Sequence, residues 1–491
     1  MRGLLFKTKN DNKYFFDGNT GMIDSIDQVF GRCLKLYADG YSGQQMKDEL
    51  KKYGYNLQEI QGTLKYLDDL LQYGCFSDGT AYADEVSTSQ IKQALYDYSN
   101  VVQLIINVTE NCNFRCKYCF LSEVYNYSRN RTDKRIDFAT AKKAMDMFFS
   151  EIRKIIKYNP CKEVAISFYG GEPLLCFELV KQCVEYAEEN CPVNIIYSVT
   201  TNGSLLSDQV LQFFMDYNFY IGISMDGDKT NHDRNRIFSD NKGTFDIVHK
   251  NIQDLMEGFK TYKNYSILIT LDYKSDLIAI DKFFEKNNLP RVSFVSMVSD
   301  KNTTYYNRFS NEDIIRFQEQ YNYLRDKYIC YKIANKKISS FLISLFELPM
   351  ANIIYRKKVY IDHSSILPYT GACIPGSKRS VRADGTIDIC ERVNECFPIG
   401  NVSTGLNYTE IAKIVNRYNK SVLEQCESCP ISNNCSVCFS QAMDGDAFIK
   451  PQCDNLINSY IESLYIMYSV LEENPSAYDY YQLPLEYFLN N

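Results

Sequence analysis

Histidine is almost missing from this chain: three residues in 491, His232, His249 and His363, none inside a cysteine cluster. That scarcity excludes the usual mixed Cys and His zinc site and leaves all-thiolate sites for the 18 cysteines. Also lacking is any uninterrupted apolar stretch near the ~20 residues that span a bilayer. The first twenty residues alternate polar and apolar, with no apolar core before a small-residue cleavage site. A cytoplasmic protein without a membrane partner is therefore expected. In that compartment thiols stay reduced, so cysteines are read as metal ligands or redox groups before disulfides. An excess of positive charge is missing too. Fifty-four Lys and Arg against 61 Asp and Glu give −7, which offers no field for nucleic acid. What is present is ordinary for a globular chain, 45% hydrophobic and 23% charged, at a length that calls for several domains.

Residues 1–80 form one pattern. Lys13 to Ile26 reads as two strands around the turn Asp17-Gly-Asn-Thr-Gly21, and amphipathic helices follow near 28–37, 42–53 and 57–73. A hairpin with three short helices is close to a winged helix-turn-helix. Ten basic and ten acidic residues between positions 1 and 75 argue against a DNA reader. Residues 81–100, with Ser87-Thr-Ser, look like a linker. Over 101–300, strands at 102–108, 163–169, 194–200, 220–225, 265–271 and 291–298 alternate with helices such as 141–156, 179–190, 208–217 and 243–258. Six such units imply an α/β fold with a parallel sheet, a partial (β/α)6 TIM-like barrel whose chemistry sits in the loops after the strands. A Tyr-rich, mostly helical connection covers 301–370, a cysteine-rich domain 371–460, and a helix and tail 461–491.

The loop after the first barrel strand reads Cys112-Asn-Phe-Arg-Cys116-Lys-Tyr-Cys119. Three thiolates hold three irons of a four-iron cluster and leave the fourth iron open, whereas zinc would want a fourth ligand. Here the sequence resembles the radical S-adenosylmethionine (SAM) superfamily, whose pattern matches the three cysteines, with Tyr118 as the usual aromatic before the last one. After the next strand, Gly170-Gly-Glu-Pro173 resembles that family's GGEP element, in which backbone and Glu meet the amino group of SAM. Thr200-Thr-Asn-Gly203 and Ser224-Met-Asp-Gly227 resemble its sugar- and carboxylate-contacting strand ends. The resemblance implies a SAM site of Tyr118, Gly170, Gly171, Glu172, Asn202, Ser224 and Arg236, although Arg236 is equally readable as a solvated loop arginine. It further implies SAM chelated to the open iron and split into a 5′-deoxyadenosyl radical.

Towards the C-terminus the order Cys373-x11-Gly385-x4-Cys390, Cys426-x2-Cys429-x5-Cys435-x2-Cys438 and Cys453 resembles the SPASM domain, which carries two auxiliary four-iron clusters. Carried over by order, one cluster would use Cys373, Cys390 and Cys438, and the other Cys426, Cys429, Cys435 and Cys453. The usual spacing before the cysteine matching Cys438 is three residues rather than two. Cys396 either completes the first auxiliary site or leaves that cluster an open iron for a substrate thiolate. A zinc ribbon is the plain alternative for Cys426 to Cys438. The remaining seven cysteines, at 33, 75, 161, 176, 183, 191 and 330, read as buried apolar residues.

The N-terminal segment resembles the PqqD-like recognition element fused to maturases of ribosomally made peptides, which adds a leader peptide as a strand at a sheet edge; a plain packing domain is the alternative. Taken together, the resemblance implies a maturase with three 4Fe-4S clusters and SAM, served by a reductant such as flavodoxin or ferredoxin. Its expected reaction is a thioether crosslink in a cysteine-containing precursor peptide. Carbon–carbon or ether crosslinking, oxidation of a sulfatase cysteine to formylglycine, and a non-catalytic peptide-binding electron carrier are the alternatives.

Overall fold

The computed structural model describes residues 2–77, 85–97, 99–356, 366–368, 371–424 and 426–478. His363, most of the stretch 357–370 and the tail beyond 478 therefore lie outside the described residues.

The N-terminal hairpin gains a strand that its sequence did not announce. β1 (Gly3–Lys7) pairs antiparallel with β2 (Lys13–Asp17), which pairs with β3 (Ile23–Ser25). Helices α1 (Gln28–Ala38), α2 (Gly43–Lys52) and α3 (Leu57–Gln72) follow within a residue or two of expectation. Their N-caps, Asp27, Ser42 and Asn56, each accept a backbone N–H of the first turn, which is what starts each helix. These helices and one face of β2 enclose a small core around Phe15, Phe30, Leu50, Ile60 and Leu67.

Residues 88–96, assigned to a linker by composition, are instead helix α4 (Thr88–Tyr96). Ser87 and Gln90 form a reciprocal capping box, and Ile91, Ala94 and Leu95 bury one face. The signal was Ser-x-x-Gln ahead of apolar residues at helical spacing.

The barrel strands are β4 (Gln103–Thr109), β5 (Val164–Gly170), β6 (Ile195–Thr201), β7 (Tyr220–Ser224), β8 (Tyr265–Leu271) and β9 (Val292–Met297), all parallel and paired in sequence order. They read as near-continuous apolar runs because helices cover them. α5 (Phe138–Ile155), for example, buries Ala141, Ala144, Met145, Phe148, Ile152 and Ile155 at three- and four-residue spacing. The expected boundaries hold to within about two residues, since alternation of strand and helix is written in local periodicity.

The cysteine-rich region is not separate from this sheet. β10 (Lys378–Val381) lies parallel beside β4, and β11 (Thr386–Asp388), β12 (Pro398–Asn401) and β13 (Gly405–Leu406) continue from it antiparallel, making ten strands in all. Local sequence could not announce this pairing of residues some 275 positions apart. The outer face of the N-terminal sheet joins the same core: Phe16 packs on Tyr460 and Phe6 on Tyr468 of the helix Cys453–Leu471. Cys33, Cys75 and Cys183 are buried as expected, but Cys161 and Cys330 are exposed. Among the described residues no helix is long and apolar enough to cross a membrane.

Phe16 is fully buried at this junction. Phe16→Ala is expected to cost about 3–5 kcal/mol and to loosen the N-terminal sheet. Urea unfolding would show a lower midpoint, and limited proteolysis would show faster cutting before residue 100.

Candidate functional site

All three cysteines of the first loop sit beyond the C-terminal end of β4, and the loop has little regular structure of its own. Neighbouring backbone holds it instead. Arg115 and Lys117 donate their N–H groups to the carbonyls of Ile237 (2.7 Å) and Asn235 (3.0 Å), and Phe114 forms a β-bridge with Phe238. On the other side, Gly171 N–H reaches Thr109 O at 2.7 Å and Glu172 N–H reaches Asn111 O at 2.9 Å.

That contact explains the two glycines. A Cβ on Gly170, whose φ is +139°, would lie 2.3 Å from Thr109 O, and one on Gly171 would lie 2.2 Å from Asn111 O. The close approach they permit is to the residues just before Cys112, where sequence reasoning had expected a ligand. Glu172 is likewise placed below the mouth. Its fully buried carboxylate accepts from Leu174 N–H (3.1 Å), Thr201 Oγ1 (2.8 Å) and Asn202 N–H (2.7 Å), and burial pushes its pKa up to about 7 against those three bonds. Its visible work is to hold Asn202, whose Nδ2 lies 2.8 Å from Asn113 Oδ1 and 3.8 Å from Cys112 Sγ. Ser224 ends β7, half-buried.

Arg236 is no solvated loop residue. Its side chain, 8% exposed, pairs with Asp226 at 2.9 Å, and its guanidinium lies over the Tyr118 ring, 5.4 Å from the centroid. The Tyr118 hydroxyl donates to the same Asp226 oxygen, while the other oxygen takes Thr270 N–H at 3.0 Å. Asp226 was not singled out from sequence; its place two residues after Ser224 on a strand end was the signal available. His232 supports the group from behind. Its Nδ1 accepts Asp226 N–H at 3.3 Å and its Nε2 lies 3.0 Å from Thr244 Oγ1, whose own proton goes to Arg236 O, so Nε2 carries the hydrogen. Desolvation first, then the nearby Arg236 cation, depresses its pKa to about 3.

Burial raises the thiols of Cys112 to about 11 and Cys116 to about 12, and each feels the other cysteines of the loop; Arg236 works against that rise at Cys116. Loss of these protons is thus coupled to binding a cation that replaces them. Among the described residues, no three His, Cys, Asp or Glu side chains converge tightly enough to grip a single metal ion. A multi-iron cluster needs no such convergence, because each iron takes its own thiolate. The donor set therefore fits an iron–sulfur cluster, with Arg236 supplying positive charge beside it.

The C-terminal cysteines fall into two groups. Cys426, Cys429, Cys435 and Cys453 line one largely apolar cavity with Leu423, Val437 and Ile457. Cys438 is close enough to Cys390 to add to the rise that burial gives the Cys390 thiol. Cys373 is exposed, on the segment that Gly371 ties to Cys435 O at 2.9 Å. Cys396 sits among Asp446, Glu395 and Arg382, and burial first, then the carboxylates, raises its thiol. Tyr169 lies at the end of β5. Burial raises its hydroxyl to about 12, with Glu391, Arg392 and Cys119 all near enough to contribute, and its ring stacks on Phe120 at 6.3 Å.

Comparison with known proteins agrees with this fold. Residues 106–283 match the Radical SAM superfamily, so this chain carries a radical SAM domain where β4 to β8 lie. A radical SAM cyclopropyl synthase of Paramaledivibacter caminithermalis is 27% identical over 68% of this chain and 66% of its own length. A cysteine-type anaerobic sulfatase-maturating enzyme of Clostridium novyi is 30% identical over 39% of this chain and 50% of its own. The match thus spans one half to just under two thirds of these two relatives. The solved structure of anSMEcpe with bound AdoMet shares the fold, with a TM-score of 0.57 at 21% identity over 79% of this chain and 98% of that one.

Asp226→Asn would leave Arg236 a buried cation without its counter-charge, and is expected to cost about 3–5 kcal/mol in thermal unfolding. His232 offers a pH test. A histidine whose folded pKa lies below its unfolded ~6.5 contributes stability that is complete above that value and is lost as pH falls towards about 3. Stability of the wild-type chain should therefore drop between those limits at up to ~1.4 kcal/mol per pH unit, and His232→Gln should flatten that limb of the urea midpoint–pH curve.

Proposed function

We propose that this protein is a radical SAM maturase that joins a cysteine sulfur to a carbon of another residue in a ribosomally made precursor peptide. The observation that carries the reading is that Tyr169, at the end of β5, is near enough to Cys119 of the first loop and to Glu391 and Arg392, next to Cys390, to feel all three. A substrate held there would have access to both cysteine groups.

In this reading Cys112, Cys116 and Cys119 hold the SAM-cleaving cluster. Cys373, Cys390 and Cys438, with or without Cys396, hold a second, and Cys426, Cys429, Cys435 and Cys453 a third. When bound, the first cluster with SAM supplies a carbon-centred radical able to abstract hydrogen. The chain's own residues position and shield. Asn202 reaches towards Cys112 while Glu172 fixes its backbone; Gly170 and Gly171 lock the loop to β4; Tyr118, Ser224 and Arg236 border the place for SAM. Arg236 offsets the negative charge of the thiolates, held by Asp226 and kept from a second cation by neutral His232. The Phe120–Tyr169 stack would help to keep the radical from side reactions by limiting what can reach it. Residues 1–80 would recruit the leader by strand addition, for which β1 and β3, each paired on one side only within their sheet, are the edges. An external one-electron carrier such as flavodoxin or ferredoxin would complete turnover.

Two other outcomes have support from relatives: carbon–carbon bond formation from the cyclopropyl synthase, and cysteine oxidation to formylglycine from the sulfatase-maturating enzymes. Mass spectrometry of a coexpressed cysteine-containing precursor peptide separates them. A thioether removes two hydrogens and leaves the cysteine closed to alkylation; a carbon–carbon link removes two hydrogens but leaves it open; formylglycine loses the sulfur. An unmodified peptide, with SAM also left intact under strong reductant, would sink the enzyme reading, and Cys116→Ser is expected to abolish both peptide change and 5′-deoxyadenosine release.

A further inference from the structure

The N-terminal strand reaches the distal cysteine cavity directly. Arg2, 1% exposed, donates from Nε to Cys429 O at 3.3 Å and from Nη2 to Ser432 Oγ and, at 3.2 Å, to Asn433 Oδ1. Asn433 Nδ2 returns to Gly18 O at 3.1 Å and Asn19 O at 3.3 Å, and Gly18 N–H closes the ring on Arg2 O at 2.8 Å. Gly18 is pressed so hard on the loop that a Cβ there would lie 2.1 Å from Pro430 O. The segment so gripped, 429–433, starts at Cys429 and leads to Cys435, two of the four cysteines that line the cavity, and Ser432 lines it too.

We propose that Arg2 is a positioning residue for the distal cluster site of Cys426, Cys429, Cys435 and Cys453, making the N-terminal domain a structural part of that site and setting its reduction potential. The inference rests on the reading of those four cysteines as cluster ligands. Its physics is direct. A guanidinium is always charged, and a buried cation close to a cluster stabilises the reduced, more negative state, because charge and hydrogen bonding around the sulfurs tune the potential. The grip on the Cys429 carbonyl also fixes the direction from which one thiolate enters. Occupancy of the N-terminal domain by a peptide would then be felt at the distal cluster through β1 and the Asp17–Gly21 turn, with no substrate contact at the cluster itself.

The test uses full-length, anaerobically reconstituted protein and redox titration followed by electron paramagnetic resonance, with iron and sulfide counted. Arg2→Gln is expected to lower the midpoint of the distal signal and leave the signal dependent on Cys112, Cys116 and Cys119 unmoved; Arg2→Lys, which keeps the charge, should shift it less. Gly18→Ala, which displaces the loop without touching charge, should change the shape of the distal signal. Loss of the distal iron alone in Arg2→Gln would also support positioning. Distal midpoint and line shape unchanged in all three variants, with full iron, would overturn the inference. If wild-type protein shows no signal that Cys435→Ala removes, the ligand reading fails instead, and the two failures are thus separate.

Discussion

A loop carrying three cysteines at the open end of a parallel sheet cannot satisfy its own backbone, so everything at this site depends on borrowed hydrogen bonds. Thr109 and Asn111 accept from the Gly-Gly-Glu turn, and Asn235 and Ile237 accept from the residues between the cysteines. The loop is clamped between the ends of β4 and β5 on one side and the turn after α8 (Lys229–Asn235) on the other. Glycine is required at positions 170 and 171 because two chains meet there at backbone distance, and any side chain would part them. The same clamp orders Asn202 through Glu172, whose carboxylate joins the ends of β5 and β6 and whose own N–H reaches the residue Asn111 just past β4.

Charge follows the same plan. Three thiolates in a desolvated loop would repel one another and hold their protons, as the raised thiols of Cys112 and Cys116 show. Arg236 is the answer to that repulsion, and it could not stay buried without Asp226, nor tolerate a charged His232 beside it. Arg236 and Asp226 are paired and His232 is neutral, so the buried cation at this loop is held without an opposing charge beside it. At the C-terminal cysteine cavity a second buried arginine, Arg2, is held by neutral acceptors, the Cys429 carbonyl, Ser432 and Asn433.

The ten-stranded sheet changes what a domain means here. Because β10 pairs with β4, the strand that presents the first cysteine loop also anchors the hairpin that leads to Cys390. The two cysteine groups are therefore fixed relative to each other by main-chain hydrogen bonds rather than by a flexible junction, and the N-terminal sheet is packed on the same core through Phe6 and Phe16. The proposed peptide chemistry, shared between two centres, would need that rigidity, since misplacement by an ångström costs rate steeply.

The sequence by itself determined the parts whose signal is local: six strands, the helices between them, the three N-terminal helices, and the cysteine spacings. Periodicity and caps act within a few residues, so they are legible without the fold. It did not reveal β1, whose partner alone makes it a strand, nor α4, whose loop-like Ser87-Thr-Ser hid a capping box. Only the tertiary structure decided that Arg236 belongs to Asp226, that the glycines face Thr109 and Asn111, that β10 joins the barrel, and that Arg2 grips the Cys429 loop. Those are contacts between residues ten to more than four hundred positions apart, and burial and pairing across such separations depend on how the chain closes on itself, which no local pattern encodes.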